Sequence, residues 1–346
     1  MSLVETACCC FIVSEKNLCE RGMEMHKILV TALILTITMI FGGTAFAEFP
    51  DKPVTVMVPY NPGGGSDSSA RVMAKYMAKY LDNPVIVSNK PGGGGFSEPA
   101  RILKTRTMHN GYMLMLLGGI NVYPELYQQS YPYVYKDFRP IGNISLSIGC
   151  VAVAADSPYK TLKDFVDAAK ASEKPIKYSR AAAGGTSHIT PVLLSDTYGV
   201  PLEDIPYNGD SDSATALLRG EVEVCSANPA ALIPHHQGGT VRILAVFAPT
   251  RMAALPDVPT FEEAGFSLPI SALSPIGIFA PADIPEDAAV KLSNAMLEAS
   301  KDPDFSVDMN RMSLFPYVVV GEDYDKQMEE FASIIGPIIK KVGLYK

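Results

Sequence analysis

Glycine-rich turns that lead into helices are the segments of this chain best suited to bind a ligand. The first, Pro62-Gly63-Gly64-Gly65-Ser66-Asp67, stands between an apolar run and an amphipathic segment. Glycine lets a ligand approach the backbone closely, and the first N–H groups of a helix are unpaired and carry the positive end of its dipole. The pattern predicts an anion site. The structural alternative is an N-capped turn with an Asp67–Arg71 ion pair.

A nucleotide phosphate is not favoured as the anion. A Walker A loop needs a lysine directly before its Ser or Thr, whereas Gly65 precedes Ser66 here. A dinucleotide fingerprint needs a third glycine where Ser69 stands. The glycine turn also contains no Lys or Arg, so we expect a carboxylate to be bound by N–H groups, hydroxyls and water, without a buried counter-charge.

A second turn, Gly184-Gly185-Thr186-Ser187, repeats this arrangement before another predicted helix. Two such turns on opposite sides of a cleft could hold one carboxylate, or one at each end of a solute. The neighbouring His188 suggests a hydrolase, but adjacent helical residues point about 100° apart and no G-x-S-x-G elbow exists. We therefore expect no catalytic residue, and we expect His188 to position the turn or the ligand.

Three further segments are weaker candidates. Asn89–Phe96 is rich in glycine and is best interpreted as a turn. The pair His235-His236 has no Cys or carboxylate at metal spacing, so neither a metal nor a cofactor is predicted. Tyr207-Asn208-Gly209 could supply a hydroxyl and an amide to a cleft, or could simply turn the chain, and the sequence leaves both open.

Strand-like and helix-like segments alternate along the chain. Val54–Val58 predicts a strand, and apolar residues at helical spacing predict a helix over Ser66–Leu81. The alternation continues to a strand near Tyr317–Val320 and a last helix over Glu322–Val342. This order predicts an α/β fold with mainly parallel sheets. Ligands of such sheets bind outside the carboxyl ends of the strands, where the first glycine turn would lie.

The amino terminus has the features of an export signal. Lys27–Phe41 is a positive residue followed by an apolar run, and Ala45-Phe46-Ala47 fits a cleavage site after Ala47. The residues before Met23 or Met25 do not resemble a signal sequence and indicate an over-extended start. We therefore predict a periplasmic protein.

Charge and cysteine content narrow the function further. The formal net charge of −8 and the absence of basic runs argue against nucleic-acid or anionic-membrane binding. Two cysteines, Cys150 and Cys225, follow the predicted cleavage site. They could pair in an oxidising compartment. Because both lie in apolar runs, buried free thiols are the favoured alternative.

Motifs along almost the whole exported part resemble the substrate-binding proteins of tripartite tricarboxylate transporters, the TctC-like or Bug family. They include "FPDKPVTVMVPYNPGGGSDSSAR", "VIVSNKPGGGG", "AGGTSHI" and "RMAALPDVPTFEEAGF". The resemblance implies a type II periplasmic binding-protein fold, with two lobes joined by two crossing strands. We expect lobe 1 to comprise residues 48–147 and 248–346, and lobe 2 residues 148–247.

The resemblance also implies a function. The protein would capture a small carboxylate by hinge closure, as a monomer, and present it to integral membrane subunits of a secondary transporter. A sensor that delivers its ligand to a membrane receptor is the alternative, and a serine hydrolase is a weaker one. The predicted ligand-binding residues are those of the two glycine turns with three flanking positions: Tyr60, Pro62, Gly63, Gly64, Gly65, Ser66, Asp67, Gly184, Gly185, Thr186, Ser187, Tyr207 and Asn228.

Overall fold

The computed structural model describes residues 49–63, 65–91, 97–105, 108–126, 133–181, 184–207 and 209–343. Within these ranges the chain forms two sheets with helices packed against them. The predicted signal segment, Gly64 and Asn208 lie outside the described residues. Among the described helices, none combines the length and the apolar character that a bilayer span requires.

Strands and helices alternate as the sequence predicts. The strands are β1 (Val54–Val58), β2 (Val85–Asn89), β3 (Met113–Gly118), β4 (Phe138–Ser147), β5 (Gly149–Ala154), β6 (Ile176–Arg180), β7 (Leu202–Pro206), β8 (Val224–Ala227), β9 (Val241–Phe247), β10 (Ser274–Pro281) and β11 (Phe315–Pro316). The helices are α1 (Gly65–Leu81), α2 (Ser97–Lys104), α3 (Gly119–Val122), α4 (Leu162–Ala171), α5 (Thr186–Tyr198), α6 (Asp210–Leu218), α7 (Ile233–Gln237), α8 (Glu286–Lys301), α9 (Pro303–Arg311) and α10 (Gly321–Lys341). Short 3₁₀ turns lie at Pro124–Leu126, Tyr135–Asp137, Pro229–Ala231 and Ile270–Ala272.

The two sheets are built from different parts of the chain. The first has the strand order β11-β4-β10-β3-β1-β2, and the second β7-β6-β8-β5-β9. The chain leaves the first sheet at Ser147, the end of β4, and enters the second at Gly149. It returns to the first sheet after β9 and forms β10 there. One residue, Ile148, therefore separates strands of different sheets.

Both sheets are mixed, which corrects the expectation of mainly parallel sheets. Strand β1 pairs in parallel with β2 and β3, and β6 pairs in parallel with β7 and β8. The antiparallel pairs involve the strands at which the chain changes sheet, since β10 lies against β3 and β4, and β5 lies against β8 and β9. Simple strand–helix alternation predicts parallel pairing and does not reveal these crossings.

Helix α1 packs an apolar face on the first sheet. Its buried residues Ala70, Met73 and Met77 recur at helical spacing, as predicted, and share a core with Val56 and Leu116. Burial of a Met, Val or Leu side chain stabilises a fold by roughly 1.5–3 kcal/mol. This packing fixes the start of α1 at the carboxyl end of β1.

Two elements depart from the sequence prediction. The strand expected near Tyr317–Val320 is misplaced, because the strand is the two-residue β11 and Val320 makes only an isolated bridge to Gly142. Strand β10 and helix α9 were not predicted. The sequence of β10 contains Pro275 and Pro281, and proline is unusual inside a strand. Helix α9 begins with Pro303, which was not interpreted as a helix start.

The two described cysteines are free thiols inside the core around the second sheet. Cys150 in β5 and Cys225 in β8 lie on neighbouring strands and are 0% exposed. Cys150 Sγ donates to the carbonyl of Ala227 at 3.3 Å. The alternative of buried free thiols is the one that the structure shows.

Candidate functional site

A cavity of about 620 Å³ is lined by residues that follow strands of both sheets. The first sheet contributes Gly63, Gly65 and Ser68 at the start of α1, and Ser145 and Ser147 at the end of β4. The second sheet contributes Gly209, Asp210, Ser211 and Asp212 at the start of α6, and Asn228–Ala231 after β8. Most of its lining thus comes from segments at the carboxyl ends of strands, where ligands of open sheets bind, and residues 312–315 before β11 and at its start add to it.

The first glycine turn is held by the helix that follows it. Gly63 has a left-handed φ of +88°, a backbone conformation that glycine adopts without strain. Its N–H donates to Asp67 Oδ2 at 2.9 Å. A side chain at Gly63 would meet no atom within 4 Å, so this position faces open space.

The buried carboxylate of Asp67 holds the first glycine turn in place through hydrogen bonds. Its carboxylate accepts from Gly63, from Arg71 Nε at 2.9 Å and from Asn89 Nδ2 at 2.8 Å. Burial raises the pKa of Asp67, but these hydrogen bonds outweigh it and the pKa lies below its usual value. The predicted Asp67–Arg71 ion pair is therefore confirmed. The Asp67 carboxylate thus accepts hydrogen bonds from three residues of the protein itself.

Two serines connect α1 to the cavity wall. Ser69, which stands where a dinucleotide fingerprint needs glycine, hydrogen-bonds Ser145 through their hydroxyls at 3.2 Å. Both side chains are buried. Ser68, one residue earlier, lines the cavity itself. Polar residues at these positions make this wall a neutral, hydroxyl-bearing surface.

The second glycine turn is held in a similar way. Gly184 has a φ of +76°, and its N–H donates to His188 Nδ1 at 3.1 Å. The N–H of Ala181 donates to Ser187 Oγ at 3.3 Å. Burial, and then the nearby Arg180, lower the pKa of His188 to about 4, so the imidazole is neutral at pH 7. His188 thus positions the turn, as expected.

Thr186 connects this second turn to the cavity. Its hydroxyl donates to Ser147 Oγ at 3.0 Å, and Ser147 lines the cavity. Gly149 allows this approach, because a Cβ there would lie 2.3 Å from Thr190 Oγ1 and 3.2 Å from Thr186 Cγ2. Among the described residues of the second turn, none lines the cavity directly. The second turn therefore lies behind the cavity wall and is joined to it by the hydrogen bond from Thr186 to Ser147.

The flanking predicted residues are placed differently from one another. Asn228 lines the cavity and caps the next turn, since its Oδ1 accepts from Ala230 N at 3.0 Å. The Tyr207 hydroxyl donates to Glu221 at 3.0 Å, outside the cavity lining. Tyr60 packs against the core of the first sheet, and burial raises its pKa to about 12. Pro62 is exposed, and Ser66 is not among the lining residues.

The start of α6 forms a wall of which the sequence analysis named only Gly209, as part of the segment Tyr207-Asn208-Gly209. Gly209 precedes this helix, and a Cβ at Gly209 would meet nothing within 4 Å. Asp210 and Asp212 follow in the first helical turn and line the cavity. The signal was present in the sequence, because strand β7, Gly209 and α6 repeat the strand–glycine–helix order of the first turn.

Ser187 and His188 are not arranged as a hydrolase pair. Ser187 Oγ and His188 Nδ1 each accept from a different backbone N–H, so they do not pair as nucleophile and base. Within the described ranges, no three His, Cys, Asp or Glu side chains are placed together to hold a metal ion. What the cavity offers instead is helix N-termini, hydroxyls and carboxylates around a space of small-molecule size.

The family model described as tripartite tricarboxylate transporter family receptor, TctC, matches residues 69–344. The chain belongs to this family. A UPF0065 protein from the gbd 5′ region of Cupriavidus necator is 34% identical over 301 residues, covering 86% of this chain and 90% of that protein. A UPF0065 protein of Bordetella pertussis is 26% identical and covers 92% of this chain and 97% of that protein.

Solved structures agree with the TctC assignment. A TctC solute-binding protein from Polaromonas has 25% identity and a TM-score of 0.74, covering 85% of this chain and 99% of that chain. The periplasmic binding protein BugD has 25% identity and a TM-score of 0.66, covering 86% of this chain and all of BugD. These findings confirm the two-lobed binding-protein fold, and the TctC-family chain is a solute-binding receptor rather than an enzyme.

Proposed function

We propose that this receptor captures a small carboxylate-containing solute in the cavity described above and delivers it to a tripartite tricarboxylate-type transporter. The proposal rests on the cavity, because residues that follow strands of the first sheet and residues that follow strands of the second sheet both line it. Residues 48–147 with 248–346, and residues 148–247, would be the lobes that close on the solute. Ile148, between β4 and β5, lies on one of the two connections between them.

Neutral donors at the first wall support a carboxylate. The first N–H groups of α1 have no partner within the helix, and they carry the positive end of its dipole. The hydroxyl of Ser68 lies beside them, and Ser145 and Ser147 complete this wall. Among the described lining residues, none is Lys or Arg. Such a wall can bind an anion without desolvating a counter-charge.

The predicted leader and the family support delivery across an envelope. Lys27–Phe41 and the Ala45-Phe46-Ala47 site have the pattern of an exported protein, so we place the mature chain in the periplasm. The matched family is named for a receptor of tripartite tricarboxylate transporters. Integral membrane subunits of such a transporter are the proposed partners, with the receptor acting as a monomer.

A ligand screen tests the carboxylate assignment. The purified protein is unfolded and refolded to remove carried ligand, and its melting temperature is measured with mono-, di- and tricarboxylates, amino acids and nucleotides. A ligand at 100 times its Kd adds roughly 2.7 kcal/mol to the unfolding free energy, so a carboxylate hit raises the melting temperature by several degrees. A shift with nucleotides alone would contradict the proposal.

Two dicarboxylates belong in that panel because proteins of the same fold were solved with them. One is Rpa4515 of R. palustris with adipate, and the other is MatC of Rhodopseudomonas palustris with bound malate. At 22% and 24% identity these proteins share the fold of this chain, and their ligands do not identify its solute. Uptake by vesicles that contain the transporter's membrane subunits then separates delivery to a transporter from delivery to a sensor.

A further inference from the structure

Asp210 lines the cavity, and one of its two carboxylate oxygens has no hydrogen-bond partner among the described residues. It is the first residue of α6, directly after Gly209. Its carboxylate accepts from the backbone N–H of Asn228. Its Oδ1 atom is buried and accepts no hydrogen bond from the residues that the structure describes. Because nearly all buried polar atoms in proteins are hydrogen-bonded, this oxygen needs a donor that the described protein does not supply.

The surroundings of Asp210 raise the free-energy cost of leaving this oxygen without a hydrogen-bond donor. Asp210 lies near the thiols of Cys150 and Cys225, which are buried in an apolar core. Burial raises the pKa of Asp210. A half-buried carboxylate in such a place is stabilised when a cation or another strong donor reaches it.

The cavity is electrically asymmetric. Asp210 and Asp212 are the charged side chains among its described lining residues, and both belong to the α6 wall. The opposite wall, with Gly63, Gly65 and Ser68, offers N–H and O–H donors and the positive end of the α1 dipole. A solute with carboxylates at both ends would bring one of them against Asp210, and like charges at close range repel. A solute with unlike ends fits both walls.

We propose that the solute is zwitterionic: its carboxylate faces the first turn of α1, and its ammonium group donates to Asp210 Oδ1. This inference rests on the proposed function, because it uses the same cavity and narrows the solute to amino acids and related ammonium carboxylates. Asp210 is then the residue that determines specificity for the amino group. Asp212, in the same helical turn, is exposed.

Paired ligands test the inference in the unaltered protein. Calorimetric titration compares each amino acid that has a single carboxylate with the acid that lacks only the amino group, such as alanine with propionate and leucine with 4-methylpentanoate. A charge-assisted hydrogen bond predicts roughly tenfold to hundredfold tighter binding of the amino form. Equal or tighter binding of the acids without the amino group would overturn the inference and leave the proposed function intact. If no carboxylate of either kind binds, both fail.

A matched pair of variants locates the effect. Asp210→Asn keeps the side-chain size and removes the charge, so binding of the amino form weakens by the same roughly tenfold to hundredfold factor, while the paired acid binds equally or more tightly. Asp287→Asn, in the first turn of α8 and outside the cavity lining, leaves both affinities within about twofold. Circular dichroism and thermal melting without ligand verify that both variants fold. An equal loss for both members of a ligand pair in Asp210→Asn would overturn the assigned role.

Discussion

The carboxylate of Asp67 accepts the backbone N–H of Gly63 at 2.9 Å, so the helix that follows the first glycine turn also fixes the turn's shape. The same carboxylate reaches Asn89 at the end of β2 through a 2.8 Å hydrogen bond. One buried side chain therefore connects the turn, the helix and the neighbouring strand. The loop that borders the cavity is preorganised before any solute arrives, which lowers the entropy cost of binding.

Replacing Asp67 should destabilise the first glycine turn. Asp67→Asn retains one acceptor oxygen but loses the ion pair with Arg71, and it places an amide N–H₂ where acceptors are needed. We expect the unfolding free energy to fall by roughly 1–3 kcal/mol and ligand affinity to fall with it. Urea unfolding and calorimetry measure the two effects. Asp323→Asn, an exposed first-turn carboxylate of α10 paired with Lys326, is the control and should change stability by less than about 1 kcal/mol. Equal effects of the two variants would contradict the claim that Asp67 stabilises the first glycine turn.

The left-handed backbone at Gly63 should make a side chain there costly even though space is open. Gly63→Ala puts a Cβ at a φ of +88°, which costs roughly 1–2 kcal/mol. Gly209→Ala is the matched control, because a side chain there also meets nothing within 4 Å, and its φ of −170° suits any residue. Thermal unfolding should show a loss for Gly63→Ala and almost none for Gly209→Ala. A loss at both positions would mean that backbone conformation is not the cause.

The sequence predicted the elements around Gly63 well, because their patterns are local. Val54–Val58 is a strand as expected, and α1 begins at Gly65, one residue before the predicted start. Asp67–Arg71 follows from helical spacing alone. What failed was non-local: the antiparallel pairing of β10 with β3 and β4 depends on the chain returning from the other sheet.

The candidate site shows the same division. Gly63, Gly65 and Asn228 were predicted and line the cavity, whereas Asp210 was not singled out. Its unpartnered oxygen can be recognised only when Asn228 and the cysteine-bearing strands are seen around it. Asp67 was predicted as a ligand contact from its position in the motif, and its hydrogen bonds to Gly63 and Asn89 became visible only in the folded structure.

Close packing at Gly149 should couple the crossing between the sheets to the second glycine turn. Gly149→Ala places a Cβ 2.3 Å from Thr190 Oγ1, a distance that forces α5 or β5 to move. We expect a loss of roughly 1–3 kcal/mol in unfolding free energy. Adding Thr190→Ala removes that nearest atom and should restore part of the loss, which a double-mutant cycle measures. Strictly additive effects would show that the two residues do not press on each other.

The pH dependence of stability should contain a contribution from His188. Burial lowers its pKa from 6.5 to about 4 in the folded protein. Between these values the unfolded chain binds more protons than the folded one, so the unfolding free energy falls as the pH drops from about 6.5 towards 4. His188→Asn keeps an acceptor for Gly184 N–H and does not titrate. Urea unfolding across this range should show a shallower slope for the variant, and equal slopes would contradict the buried neutral imidazole.

The central claim is that the solute binds in the cavity between α1 and α6, and blocking that cavity tests it most directly. Ser68→Phe fills the wall beside the first glycine turn, and Asn294→Phe fills a separate surface groove along α8 as the control. The best carboxylate ligand is titrated calorimetrically into the wild type and both variants. The account predicts that Ser68→Phe abolishes binding while Asn294→Phe binds like the wild type. Unchanged affinity in a folded Ser68→Phe protein would contradict it.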